Sequence, residues 1–272
     1  MRKALSQHWP EYLMEAAGLG VFMLSACIFA VLLEHPGAAL QQAFPDPLLR
    51  RMLMGLAMAL TAVGIIYSPW GQQSGAHINP AVTLSFWYLG KIEHWDAVFY
   101  ILAQFLGAAV GVGLAALMLG QALADPPVAY IVTRARMPGV AVAFAVELMI
   151  SMGLMAIVLI ASNRTNLAPY TGLFAGGLVA LYVTVAVPFS GMSMNPARSF
   201  GSALSAGQWD DLWVYFTAPP LGMLLAAEIY HSVQGPHAVK CCKLHHENDN
   251  RCIFRCNYRR TARDPVQSVA RG

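Results

Sequence analysis

Two stretches hold residues that could act on a small molecule in apolar surroundings. One is Ser74-Gly75-Ala76-His77-Ile78-Asn79-Pro80-Ala81. The other is Ser190-Gly191-Met192-Ser193-Met194-Asn195-Pro196-Ala197-Arg198, with the two Asn 116 residues apart. Asn-Pro heads a short apolar run in each. Asn is a favoured N-cap, and Pro suits the first helical position, where its missing N–H is lost anyway. Ala81 and Ala197 leave room for a second backbone. A capping Asn spends its side-chain oxygen on the helix and keeps its NH₂ to donate. Asn79 and Asn195 therefore offer two donors to the oxygen of a neutral solute, and Arg198 adds a fixed charge beside them. A third group lies beyond Gly235-Pro236: Cys241, Cys242, His245, His246, Cys252 and Cys256. Thiols and imidazoles at such density offer a tetrahedral Zn²⁺ site, although their spacing matches no standard finger. The alternative is a basic tail, ending in Arg259-Arg260 and further arginines, that binds anionic lipid and carries palmitoylated cysteines.

The elements that position the Asn-Pro pairs follow from length. Helices over 80–90 and 196–207 would run roughly 15 Å at 1.5 Å per residue, half of a ~30 Å hydrocarbon core. Two such half-helices can meet head to head at mid-membrane, each aiming a partly positive N-terminus at the centre. A charge such as Arg198 at that depth is functional by default. Composition agrees with a membrane setting: 57% hydrophobic, 11% charged and a mean hydropathy of +0.52 exclude an ordinary soluble domain. Nothing resembles a nucleotide loop or a nucleic-acid motif. Runs able to span lie at about 12–33, 49–68, 96–119, 139–161, 169–188 and 211–232. The first is too long for a signal peptide and reads as a retained span. The order is span, span, half-helix, span, then the same again. Three spans per half turn the second copy upside down, an inverted repeat with its site between the halves.

The expected division is an N-terminus over 1–10, a channel domain over 11–232 built from repeats at about 11–120 and 138–232, and a Cys/His/Arg-rich tail over 233–272. Glu15 and Glu147 recur in the first span of each half, where a buried carboxyl needs hydrogen bonds. With both termini on one side, that side carries twelve Lys and Arg: Arg2, Lys3, Lys91, Arg164 and eight beyond residue 239. The other side carries four, Arg50, Arg51, Arg134 and Arg136. The bias makes both termini cytoplasmic. Gly107 with Gly111, and Gly172 with Gly176, have the spacing of close helix contacts.

The paired Asn-Pro-Ala boxes, with Arg198 after the second, resemble the aquaporin (major intrinsic protein) family over about residues 11–232. The resemblance is to its aquaporin members rather than its glycerol facilitators. It implies an all-α right-handed bundle of six transmembrane helices and two re-entrant half-helices. It also implies a homotetramer in lipid with one pore per subunit, passing water and other small uncharged solutes without protons or ions, needing no cofactor and catalysing nothing. It assigns Asn79, Pro80, Ala81, Asn195, Pro196 and Ala197 to the pore centre and Arg198 to an outer filter. Glu15 and Glu147 brace the re-entrant loops, and His77 faces the inner vestibule or packs against it. The chain departs from the family pattern at the filter. Val183 stands where water-selective members carry His, and Met192 where they carry a small residue; Met54 is the span-two partner, with Met58 the fallback. Ser199, Ala203 and Tyr215-Phe216 lean back toward water. The alternatives are a facilitator for glycerol, urea or ammonia, and an ion-coupled transporter. The expected location is the plasma membrane.

Overall fold

The computed structural model describes residues 1–136, 138–235 and 237–258; Pro236 and the arginines beyond 258 lie outside these. Helices fill the chain in the order α1 Arg2–Glu34, α2 Ala39–Ala43, α3 Pro47–Tyr67, α4 Pro69–Ser74, α5 Pro80–Tyr88, α6 His94–Leu119, α7 Gln121–Ala124, α8 Val140–Ser162, α9 Thr171–Ser190, α10 Pro196–Ala206 and α11 Leu212–Gln234. Six are long and apolar enough to cross a membrane: α1, α3, α6, α8, α9 and α11. The protein is an integral multi-pass membrane protein, and its outward faces carry side chains such as Leu106, Leu117 and Val233.

Span boundaries fall close to those expected, with two differences. Helix α1 starts at Arg2 rather than near residue 12, so the proposed N-terminal segment 1–10 is helical. Its polar first turns continue the helix beyond the apolar run, and His8 and Tyr12 anchor it to Asp96 of α6, at 2.8 and 2.6 Å. The join between α3 and the first box is the short helix α4. Ser68 caps it by accepting from Gly71 N at 3.0 Å.

Packing follows an inverted repeat. Helix α1 lies on α6 as α8 lies on α11; α3 crosses to α9 between the halves. Each half-helix also reaches the last span of the other half, α10 on α6 and α5 on α11. The α1–α6 seam is closed by Gly107 and Gly111, where an added Cβ would stand 2.1 Å from Ala16 O and 2.4 Å from Gly20 O. Gly172 and Gly176 are similarly tight against Tyr67 and Val63 of α3. Backbones approach so closely only where one partner lacks a side chain.

Gly107→Leu should therefore drive α1 from α6, with an overpacking penalty of about 1–3 kcal/mol. A thermal melt of the purified variant in detergent should show a clearly lower midpoint. An unchanged midpoint would mean that the seam is looser than these distances say.

Candidate functional site

The site is built where α5 and α10 meet. Asn79 caps α5 by accepting from Ala81 N at 2.9 Å. Asn195 caps α10 by accepting from Ala197 N and Arg198 N at 3.0 and 3.2 Å. Pro80 and Pro196 occupy the first helical positions, and Ala81 and Ala197 are fully buried. The amide groups are not wholly free. Asn79 Nδ2 donates to Met194 O at 2.7 Å, and Asn195 Nδ2 donates to Ile78 O at 2.8 Å. Each half is thus tied to the other by one amide proton, which corrects the expectation of an uncommitted NH₂. A primary amide has two protons, so one per Asn is left to donate.

The loops before the caps share an unusual backbone. Gly75, Ala76 and Ile78 have φ of 96°, 54° and 40°; Gly191, Met192 and Met194 have 74°, 49° and 55°. Left-handed φ at non-glycine positions costs on the order of 1–3 kcal/mol each. Two buried carboxylates hold it in place. Glu15 accepts from His77 N at 3.0 Å, Ile78 N at 2.6 Å, Ser74 Oγ at 2.8 Å and Gln104 Nε2 at 2.8 Å. Glu147 accepts from Ser193 N at 2.9 Å, Met194 N at 2.7 Å and Ser190 Oγ at 2.6 Å. Tyr100 and Tyr215 complete the bracing by donating to Ser74 O at 2.7 Å and Ser190 O at 2.5 Å. Sequence reading found the glutamates; it named Tyr215 only as half of an aromatic pair and missed Tyr100 and Gln104. The only cue was the shared Ser-Gly before each box.

One cavity of about 530 Å³ runs past both caps. Its wall includes Asn79, Asn195 and the irregular stretches Ala76-His77-Ile78 and Gly191-Met192-Ser193-Met194, together with Met54, Met58, Val183 and Arg198. Met54 and Met58 share the wall because they stand one turn apart on α3. Arg198 donates from Nη1 to Ile131 O at 2.9 Å, which fixes the guanidinium and leaves further N–H groups. His77 touches the cavity, yet it is buried and both ring nitrogens are occupied, by Thr83 Oγ1 and Cys242 O at 3.1 Å each. It stacks between Phe86 and Phe254. His77 thus both borders the cavity and is packed on its two faces.

The tail is part of this core. Cys241, His246, Cys252 and Cys256 bring their ligand atoms within 4.8 Å of one another. The other two expected ligands stand apart. Cys242 is fully buried, and its carbonyl faces His77; His245 packs edge-on against Tyr67. Burial of Cys241 and Cys242 also removes them from the palmitoylation reading.

The sequence profile described as Major intrinsic protein matches residues 3–230. The chain belongs to the major intrinsic protein family. This family member is 36% identical over 176 residues to "Probable aquaporin NIP7-1" of Arabidopsis thaliana, covering 64% of this chain and 62% of that one. It is 35% identical over 190 residues to "Aquaporin-4" of Rattus norvegicus, covering 68% and 57%. It is 37% identical over 189 residues to "Glycerol uptake facilitator protein-like 6" of Lactiplantibacillus plantarum, covering 65% and 82%. The first two matches thus span only about 60% of those relatives' lengths. Among solved structures, the aquaglyceroporin of Plasmodium falciparum superposes with a TM-score of 0.68 at 22% identity, over 84% of this chain and 98% of that one. That likeness concerns the fold.

Glu147→Ala should strand two loop N–H groups and the Ser190 hydroxyl, at about 1–3 kcal/mol for each unpaired group. Glu147→Gln, which keeps an acceptor, should lose less. Melting midpoints should rank wild type above Gln above Ala; equal midpoints would show that the loop holds its conformation without the carboxylate.

Proposed function

We propose that the protein is a passive transmembrane channel for water and other small uncharged solutes, and that it excludes protons and ions. The observation that carries this reading is the convergence of both Asn side chains, both half-helix N-termini and Arg198 on one cavity. Two leftover amide protons hold a passing oxygen by its lone pairs. The positive helix ends repel cations, and the fixed donors interrupt a hydrogen-bonded water chain. Conduction of this kind forms no covalent bond and needs no cofactor. The membrane-buried carboxylates that a coupled transporter would use are committed to backbone N–H groups, which favours a channel.

In this reading Asn79, Pro80, Ala81, Asn195, Pro196 and Ala197 form the central barrier. Arg198, Val183, Met192 and Met54 form the filter, and Glu15, Glu147 and His77 support the loops. Val183 and Met192 give no fixed polar partner to Arg198, so the filter admits solutes larger than water. The channel works as a homotetramer in the plasma membrane, with both termini cytoplasmic. Three thiols of its tail, Cys241, Cys252 and Cys256, and the His246 imidazole hold Zn²⁺.

Stopped-flow measurement of water, glycerol, urea and ammonia entry into proteoliposomes tests the reading. Flux should be non-saturating and indifferent to pH or sodium gradients, whereas gradient-dependent, saturating uptake would indicate a transporter. Val183→His should leave water flux largely intact and cut glycerol or urea flux. Equal exclusion of glycerol before and after the change would place the constriction elsewhere. In Asn195→Asp a carboxylate replaces the donor to Ile78 O, so cation leak should appear. Unchanged ion and solute flux in a folded variant would remove Asn195 from the barrier.

A further inference from the structure

Residues 237–258 contain neither helix nor strand, yet Val239, Cys241, Cys242, Leu244 and Phe254 are buried in the same apolar core as the spans. An irregular segment fixed in one conformation loses backbone freedom without a repeating hydrogen-bond ladder to offset it. Short irregular folds of this sort usually depend on a staple. The segment carries the parts of one, in the spacing Cys241-x₄-His246-x₅-Cys252-x₃-Cys256. Cys241 Sγ and Cys252 Sγ stand 3.6 Å apart, and Cys256 Sγ lies 3.0 Å from His246 Nε2. Zn–S bonds of about 2.3 Å at tetrahedral angles put sulfurs about 3.8 Å apart, so the thiols already stand near the required separation. Three thiolates and an imidazole are a soft set that suits Zn²⁺ over Mg²⁺ or Ca²⁺. With Zn²⁺ they leave one negative charge. The Lys243 ammonium is buried within the same segment and donates to the carbonyls of Asn250 and Arg251 at 3.2 and 2.8 Å.

The folded segment sits on the pore. Leu244 N donates to Gly75 O at 3.1 Å, and His77 meets Cys242 O at 3.1 Å; Phe254 covers both Gly75 and the His77 ring. Arg251 pairs with Glu11 at 2.8 Å, Arg255 pairs with Glu93 at 2.7 Å, and Lys240 N donates to Asn163 Oδ1 at 2.6 Å. Leu244 lines the cavity together with Ile66, Val158 and Ala175. These three lie near the ends of α3, α8 and α9 on the side of the two chain termini. The pore mouth on that side therefore ends against the tail. The other mouth has a counterpart in the inverted repeat. There the connection after α6 lies over Gly191 through Thr133 and Arg134, and Ile131 O accepts from Arg198. That connection follows the first half as the tail follows the second.

We propose that Zn²⁺ on Cys241, His246, Cys252 and Cys256 folds residues 237–258 into a plug that closes this mouth, and that loss of the metal opens it. The proposal rests on the channel reading above. Metal binding to such a set is coupled to folding, so stripping the metal returns the tail to an unfolded chain that no longer presents Leu244 to the cavity. Conditions that remove Zn²⁺ or oxidise the thiols then become opening signals.

Full-length protein, purified without chelator under reducing conditions, should hold close to one Zn²⁺ per chain by elemental analysis. In proteoliposomes with the tail side accessible, a strong zinc chelator should raise water flux several-fold, and added Zn²⁺ should restore the low rate. Cys252→Ser with Cys256→Ser should lose the metal, conduct at the raised rate and ignore the chelator. Arg251→Ala with Arg255→Ala leaves the four ligands intact but removes both ion pairs. It should keep its zinc and still conduct faster than wild type. Absence of zinc, a Cys241–Cys252 disulfide in its place, or zinc whose removal leaves flux unchanged would each overturn the plug. Absence of flux from both the zinc-loaded and the stripped protein, with zinc bound as expected, would defeat the channel reading and the plug with it.

Discussion

Backbone that enters hydrocarbon outside a helix must find partners for its N–H and C=O groups, because no water is there to supply them. In this protein Glu15 and Glu147 meet that constraint. Each accepts two consecutive backbone N–H groups from a loop whose left-handed residues turn them toward a single point. A chain of successive N–H groups in such a conformation is an anion cradle, and here the anion is supplied by the first span of the same half. The loop needs the carboxylate to hold its strained φ values, and the carboxylate needs the loop to remain buried. Once both loops are set, their carbonyls Ile78 O and Met194 O stand where the opposite Asn can reach them. The crossed Asn79–Met194 and Asn195–Ile78 bonds are a consequence of the two cradles.

The inverted repeat explains why so few residue types suffice, and the places where the halves differ mark what each mouth does. Ser74 and Ser190, Tyr100 and Tyr215, and Asn79 and Asn195 repeat the same bonds. Three residues past the Asn the halves part, with Val82 in one and Arg198 in the other. Two residues before it, His77 packs against Thr83 and the tail, while Ser193 bonds Ser199, which in turn accepts from Thr133. One mouth carries a fixed guanidinium and the other a packed imidazole under a folded tail. The difference between the two ends of the cavity thus arises from substitutions on a symmetric frame.

Much of this was legible in the sequence for a physical reason: hydrocarbon permits only a small menu of structures. Spans, half-helices and their order followed from apolar run lengths and from Asn-Pro caps, and the repeat made the two glutamates visible. What escaped reading depends on contacts between distant segments. Tyr100 and Gln104 look like ordinary residues of a span until α6 is laid on α1. The Asn79 and Asn195 amides appeared free because the carbonyl each one meets belongs to the other half. The tail was read as a separate region, since nothing in its composition says that Leu244 and Phe254 fit under Gly75. Its six candidate ligands fell to four only when the fold turned Cys242 and His245 away. On the cavity wall, Met54 and Met58 lie one turn apart, a distinction that spacing alone could not make.

In the proposed function, two crossed Asn clamps and two opposed helix ends let neutral molecules pass and stop protons. This selectivity is tested most directly by recording water and proton movement in the same vesicles. Zinc-stripped protein in proteoliposomes loaded with a pH-sensitive dye would be given an osmotic step together with an imposed membrane potential. Rapid shrinkage with the internal pH holding as steady as in protein-free vesicles is the predicted result. Proton entry that rises in step with water flux would contradict the account, because it would mean that an unbroken water chain passes between Asn79 and Asn195.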